Sequence, residues 1–355
     1  MSNVRIKDIA RLAGVSPGTV DRVIHNRGEV SPVTRDRIRR LLKEHAYTPD
    51  AMASKLSLKK QFRFAVLMPG QEGPHAFWSL PRHGVDRALH ELSPFQVRAD
   101  IHEHPPFRKE DFLRLVADVD WTACDGVLFA PVFPDESVRF VERLRDLGVP
   151  VVLFNSHLEC PDVLSYVGQD AFRSGRVGAH LMQYGLNGSG HLALVNVLAG
   201  RHPKSHVLAR EAGFRDYFGT QPQWQGSIDT VNLMGEDLGE LGRRMDELLD
   251  SRAIDGIFVT SSRVHVLASY LADRKVTGLR LGGYDLVPGN LDHLREGRID
   301  FLISQHPEEQ AFKGLVTLFQ WLAHKREPSL LQWMPIDIIT RENMEPDQNL
   351  QHMHL

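Results

Sequence analysis

Apolar positions in residues 1–45 recur at helical spacing in three short stretches. Ile6, Ile9, Ala10 and Ala13 form the first, and Gly14 closes it. Ser16-Pro17 then supplies an N-cap followed by proline at the first helical position, where its missing N–H costs nothing. Val20, Val23 and Ile24 give the second helix its apolar face, and that helix ends near Asn26-Arg27-Gly28. Ser31-Pro32 repeats the start signal, and Ile38, Leu41 and Leu42 predict the core face of a third helix. Arg35, Arg37, Arg39, Arg40 and Lys43 stay on its solvated side. Tyr47-Thr48-Pro49 breaks the rhythm, and residues 50–58 predict one short helix too poor in apolar residues to be stable alone. The segment 46–61 is therefore a domain boundary.

From Phe62 the pattern becomes strand–helix alternation. Apolar runs at 64–68, 96–101, 126–131, 149–154, 192–197, 254–260, 279–284 and 301–304 read as strands. Helical patterns at 84–92, 135–147, 172–186, 236–251 and 307–325 separate them. That alternation predicts βαβ units with parallel sheets. Eight strands or more over this length suit two doubly wound lobes. The fold class is a small all-α helix-turn-helix headpiece followed by two α/β parallel-sheet lobes. The run after Arg341 is polar, and residues 344–355 read as a tail.

Composition narrows the class. A chain of 355 residues, 42% apolar and 25% charged, is that of a globular protein with about two to three domains. The net charge of −3 hides an asymmetry. Residues 1–60 carry 13 Lys and Arg against 6 Asp and Glu, and the rest carries 29 against 39. A basic head on an acidic body predicts a polyanion-binding module joined to a part with another task. Two cysteines, Cys124 and Cys160, imply a reducing compartment. Residues 1–30 hold no apolar signal region, and no run approaches a membrane span. The expectation is a cytoplasmic protein without a membrane partner.

The tight glycine turn packs one helix against the next, as a major-groove reader requires. Ser16, Pro17, Gly18, Thr19, Asp21 and Arg22 open the second helix, where residues face base edges. Arg22 suits a bidentate contact to guanine. Lys7, Arg27 and Arg35 suit phosphates, which give affinity and register but no sequence choice.

The stretch from Ile6 to Ile24, IKDIARLAGVSPGTVDRVI, resembles the headpiece of the lactose-repressor (LacI/GalR) family. Tyr47 to Leu56, YTPDAMASKL, resembles that family's hinge helix. The resemblance covers nearly the whole chain. It implies that Leu56 wedges into the minor groove, partly unstacking a base step. It also implies a homodimer on a roughly palindromic operator. Asp21 departs from the family's usual serine; it repels phosphate but accepts from a cytosine amino group. With small Pro17 and Gly18 beside it, the operator does not follow from relatives.

For the body the resemblance implies the type I periplasmic-binding-protein fold, with an effector between the lobes, a monosaccharide or derivative. The expected division is a headpiece at 1–46, a hinge at 47–61 and a sensor at 62–343. Within the sensor, the first lobe is expected at about 62–157 and 288–305, and the second at about 158–287 and 306–343. Asn155, Asp170, Arg210, Asp285 and Gln305 match positions that touch ligand in sugar-binding members. Planar amides and carboxylates hold adjacent sugar hydroxyls. Asp170 equally suits an N-cap, and Arg210 equally suits a helix surface. A polar side chain ending a buried strand needs a partner, which favours Asp285 and Gln305. Phe77 and Trp78 resemble stacking residues, or alternatively core packing at a helix start. Ser261 stands where relatives carry asparagine and reaches less far.

Enzyme readings fare worse. Eighteen histidines include His102 and His104, and His202 and His206, but no complete ligand set lies nearby. No phosphate-cradling loop or nucleophile elbow occurs. The chain is thus expected to need no cofactor or metal and to perform no catalysis. The alternative to a regulator is a cytoplasmic or exported solute-binding protein without regulatory role.

Overall fold

A computed structural model of the chain describes residues 6–24, 28, 30–45, 61–70, 77–106, 108–186, 188–198, 205–234, 238–251 and 253–344. Most of the expected hinge, with Leu56, and also Arg27 lie outside these residues.

The headpiece has three helices: α1 (Ile6–Ala13), α2 (Pro17–Ile24) and α3 (Pro32–Glu44). Ile9, Ala10, Ala13, Val20, Val23 and Ile38 form their common core. Gly14 turns the chain at φ +65°, in the left-handed region that glycine adopts without a Cβ penalty. Ser16 and Ser31 both cap as expected: Thr19 N–H donates to Ser16 Oγ at 3.2 Å and Thr34 N–H to Ser31 Oγ at 3.3 Å.

The body holds two six-stranded sheets. The first is built from β1 (Phe62–Pro69), β2 (Val97–His104), β3 (Gly126–Phe129), β4 (Val151–Phe154), β5 (Ser165–Gly168) and β11 (Leu331–Trp333). Their order is β11-β5-β4-β3-β1-β2, all parallel. The second comprises β6 (His191–Leu198), β7 (Ser227–Met234), β8 (Gly256–Val259), β9 (Arg280–Tyr284), β10 (Phe301–Ser304) and β12 (Asp337–Ile339). Its order is β12-β10-β9-β8-β6-β7, parallel except for β12. Strands β3, β4, β5, β8 and β10 are buried along their whole length, as parallel strands covered by helices on both faces must be.

Pairing corrects the expected lobe limits. Strand β5 aligns Ser165 with Val152 of β4, so the first lobe runs to Gly168 rather than ending near 157. Helix Pro288–Arg295 buries Leu294 in the core of the second lobe, and β10 pairs with β9. Residues 288–304 therefore belong to the second lobe, not the first. Helix α12 (Pro307–His324) packs on helix α4 (Ser79–Leu92) and on β3, β4 and β5. With β11 it completes the first lobe, before β12 returns to the second. A chain crossing does fall at 305–306, in the reverse of the expected direction. The others fall at 169–170 and 334–336.

Gln169 joins the three crossings. Its Nε2 donates to Ser304 O at 2.9 Å and to Pro335 O at 2.8 Å. His306 Nε2 lies 2.8 Å from Asp337 Oδ2, pairing the second crossing with the strand after the third.

Candidate functional site

The polar residues that end strands of the second lobe converge on one network. Helix α8 (Ser205–Gly219) carries Arg210, which is 2% exposed. Its Nη1 donates to Thr260 O at 2.6 Å, just past β8, and its Nη2 donates to Gln305 Oε1, just past β10. Gln305 Nε2 donates to Asp285 Oδ2 at 2.6 Å, just past β9. The guanidinium lies 3.8 Å from the centre of the Tyr284 ring, a cation–π arrangement. Tyr284 OH is 3.0 Å from Ser174 Oγ on helix α7 (Ala171–Gln183).

This network leaves three buried atoms without a hydrogen-bond partner among the described residues: Arg210 Nε, Asp285 Oδ1 and Ser261 Oγ. One cationic donor, one carboxylate acceptor and one hydroxyl are thus held in reserve. A buried polar atom without a partner costs about 1–3 kcal/mol, and a ligand's hydroxyls recover that cost. Burial pushes the Asp285 carboxyl up to about 6, against the opposing pull of Arg210 and the hydrogen bond from Gln305. Burial likewise pushes the phenol of Tyr284 up.

From the first lobe, Asn155 follows β4 at φ +67°, and Asp285 sits at φ +70°. Asn and Asp tolerate the left-handed region better than most residues, which suits them to these sharp strand ends. Asn155 N–H donates to Gln310 Oε1 at 2.9 Å, and Tyr166 OH donates to Asn155 O at 3.2 Å. Ser156 Oγ lies 3.2 Å from His206 Nδ1 of α8, a contact between the two lobes.

Three expected contact residues have other partners. Asp170 caps α7, accepting from Arg173 N–H at 2.9 Å and pairing with Arg173 Nε at 3.3 Å. Trp78 belongs to the core of the first lobe, its ring edge-on to Phe154 at 6.5 Å and to Phe77 at 5.1 Å. Packing at a helix start describes both aromatics. His102 and His104 pack against Trp121 and Phe112.

Residues missed in the sequence join the site from behind. Thr260 and Asn196 are fully buried, and Thr260 Oγ1 donates to Asn196 Oδ1 at 2.6 Å. Asn196 had a legible signal, as the one polar residue in the apolar run Leu192–Leu198.

On the headpiece, Lys7, Ser16, Pro17, Gly18 and Arg22 are exposed, and Thr19, Asp21 and Arg35 are half-buried. The start of α2 and the side chain of Arg22 one turn on share an accessible face.

Fold and site together define a two-lobed ligand-binding body behind a helix-turn-helix head. Residues 64–326 match the periplasmic binding protein domain family, and residues 5–50 match the bacterial regulatory proteins of the lacI family. The chain belongs to the LacI family of DNA-binding transcription regulators. It is 25% identical over 290 residues to a sucrose operon repressor of Streptococcus mutans, covering 79% of this chain and 82% of that one. A sucrose operon repressor of Escherichia coli is 51% identical over 182 residues, about half of each chain (51% and 52%). A solved structure from Bacteroides fragilis, described as a LacI transcriptional regulator, superposes with a TM-score of 0.74 at 28% identity, covering 80% of this chain and 99% of that one. The match over 5–50 disfavours a solute-binding protein without regulatory role. Among the described residues no helix is long and apolar enough to cross a membrane.

Proposed function

We propose that this regulator works in the cytoplasm as a homodimeric repressor, without catalysis, on a roughly palindromic operator, released or recruited by a neutral monosaccharide or derivative. The observation that carries the effector reading is the trio of buried, unpartnered atoms on Arg210, Ser261 and Asp285. One guanidinium and one carboxylate set a balanced charge in the cleft, which suits hydroxyl groups better than a net anion or cation. Asp285 accepts from a sugar hydroxyl, Arg210 Nε donates to a ring or hydroxyl oxygen, and Gln305 holds both in register. Asn155 faces the same ligand from the first lobe. Asp170 supports that site through the cap of α7, and Phe77 and Trp78 support it through the packing of the first lobe.

In the headpiece, Arg22 reads a base while Lys7, Arg27 and Arg35 hold phosphates. The hinge reading assigns Leu56 the minor-groove wedge. Names of relatives support the monosaccharides that make up sucrose, D-glucose and D-fructose, as first candidates.

Gel shift on the gene's own upstream region, with and without sucrose, D-fructose, D-glucose or L-arabinose, tests the reading. Retardation altered by one sugar is expected, and the same sugar should raise the melting temperature. No retardation of any upstream fragment at low salt overturns it.

A further inference from the structure

We propose that Asn196 and Glu211 are positioning residues for Arg210, closing a hydrogen-bonded ring that fixes both the root and the tip of its side chain. The proposal rests on the reading of the cleft as the effector site.

The ring can be followed atom by atom. Arg210 Nη1 donates to Thr260 O at 2.6 Å. Thr260 Oγ1 donates to Asn196 Oδ1 at 2.6 Å. Asn196 Nδ2 donates to Glu211 Oε2 at 2.9 Å and to Asn232 Oδ1 at 2.9 Å. Glu211 is the next residue after Arg210 on α8, so the backbone closes the ring. An ionised carboxylate only accepts, so Nδ2 must face Glu211 and Oδ1 must face Thr260. The amide therefore has one orientation.

Glu211 is held in turn. Thr230 Oγ1 donates to its Oε1 at 2.6 Å and Arg215 Nε donates at 3.1 Å. Burial alone pushes the Glu211 carboxyl up, but the hydrogen bonds from Thr230, Asn196 and Arg215 bring it below the ordinary value. It is thus ionised at neutral pH.

A primary amide in the middle of an apolar strand is expensive unless every hydrogen bond is made. Here both N–H groups and the carbonyl are used. The arrangement ties β6 to the end of β8 and to the turn of α8 that carries Arg210. An arginine with three rotatable carbons is worth little to selectivity unless its fork is held still. The ring supplies that restraint from behind, without touching the ligand.

The test reverses donor and acceptor. Asn196→Asp places a second carboxylate against Glu211 and removes the donor. Adding Glu211→Gln restores one hydrogen bond with the roles exchanged and the net charge conserved. Binding of sucrose, D-fructose, D-glucose and L-arabinose to full-length protein is titrated by calorimetry. Asn196→Asp should weaken the binding sugar at least tenfold, and less so as pH falls and the carboxylate pair gains a proton. The double variant should recover to within about threefold. A merely structural loss would not be rescued by exchanging donor and acceptor.

Thr260→Val, which keeps the β-branched shape and the carbonyl used by Arg210, should weaken binding at least threefold and serves if Asn196→Asp fails to fold. Unchanged binding in Thr260→Val, or a double variant no better than Asn196→Asp, overturns the proposal. Crystal structures of the variants test the ring independently of the sugar. Arg210 should leave Thr260 O in Asn196→Asp and return in the double variant; Arg210 fixed in every variant overturns the ring. If no sugar binds the wild type, the effector reading fails alone, and the position of Arg210 in those crystals still decides whether the ring holds it.

Discussion

Removing a carboxylate from water raises the energy of its charged form, and at Asp285 that burial outweighs Arg210 and Gln305 to leave a value of about 6. The unfolded chain gives up the same proton near the ordinary value of about 4. Between those two values the folded state binds more protons. The stabilising contribution of this residue is therefore fully present below pH about 4 and is lost as pH rises through about 6. The stability difference between wild type and Asp285→Asn should fall over that window, by about 3 kcal/mol at most. Thermal unfolding from pH 4 to 7 reads it, and a difference independent of pH refutes the assignment. Sugar affinity should run the other way. A hydroxyl donates to the ionised carboxylate, so affinity drops as pH falls below about 6. Arg210→Lys tests the neighbouring charge. Lysine keeps the charge but lacks the planar fork that holds Thr260 O and Gln305 Oε1 together. A loss of roughly tenfold to a hundredfold in sugar affinity is expected, and a change under twofold would count against Arg210 as a ligand contact.

Helices α7 and α8 meet through two glycines. A Cβ at Gly175 would collide with the carbonyl of Arg210, and one at Gly213 with the carbonyl of Phe172. Neither obstacle is a flexible side-chain end, so the helices would have to separate. Gly175→Ala should cost about 1–3 kcal/mol and weaken sugar binding as well, because the displaced turn carries Arg210. Gly242→Ala is the contrast: on helix Leu238–Ser251 its Cβ would meet only the Tyr270 ring at 3.7 Å. It should be neutral or mildly stabilising, since alanine is the better helix former. Melting temperatures of the two variants decide. The same scale explains what the sequence could reveal. Strands β3, β4, β8 and β10 are short apolar runs between turns and were legible. Strand β7, Ser-Ile-Asp-Thr-Val-Asn-Leu-Met, lies at a sheet edge with polar residues along it and was not. Lobe membership of Ser165–Gly168 depends on its partner β4 rather than on its own composition, so the expected boundary fell short. Asp285 and Gln305 stood out because each ends an apolar strand. The Thr260–Asn196 contact joins residues 64 apart and has no local signature.

At the scale of the whole molecule, the chain separates two jobs along its length and its charge. The first 60 residues hold 13 of the 42 basic residues, while the proposed effector contacts lie from Asn155 onward. Affinity for DNA and response to sugar should therefore respond to different substitutions. Each phosphate contact contributes about −0.9 to the slope of log affinity against log salt. Lys7→Ala should flatten that slope by about one contact and weaken operator and random DNA alike. Arg22→Ala should leave the slope nearly unchanged and weaken operator binding by about 1–3 kcal/mol, because a base contact carries sequence and not counterions. Asp285→Asn should change neither slope nor discrimination, but should abolish the shift that sugar imposes on the operator complex. A cleft that no longer discriminates its sugar transmits nothing to the head, and by linkage operator DNA then leaves its sugar affinity unchanged. Fluorescence anisotropy of operator and scrambled duplexes across a salt series, with and without sugar, measures all three variants. Should Arg22→Ala flatten the slope while operator preference persists, Arg22 holds a phosphate and base reading falls to Pro17 and Gly18 in the first turn of α2 and to Asp21 just beyond it.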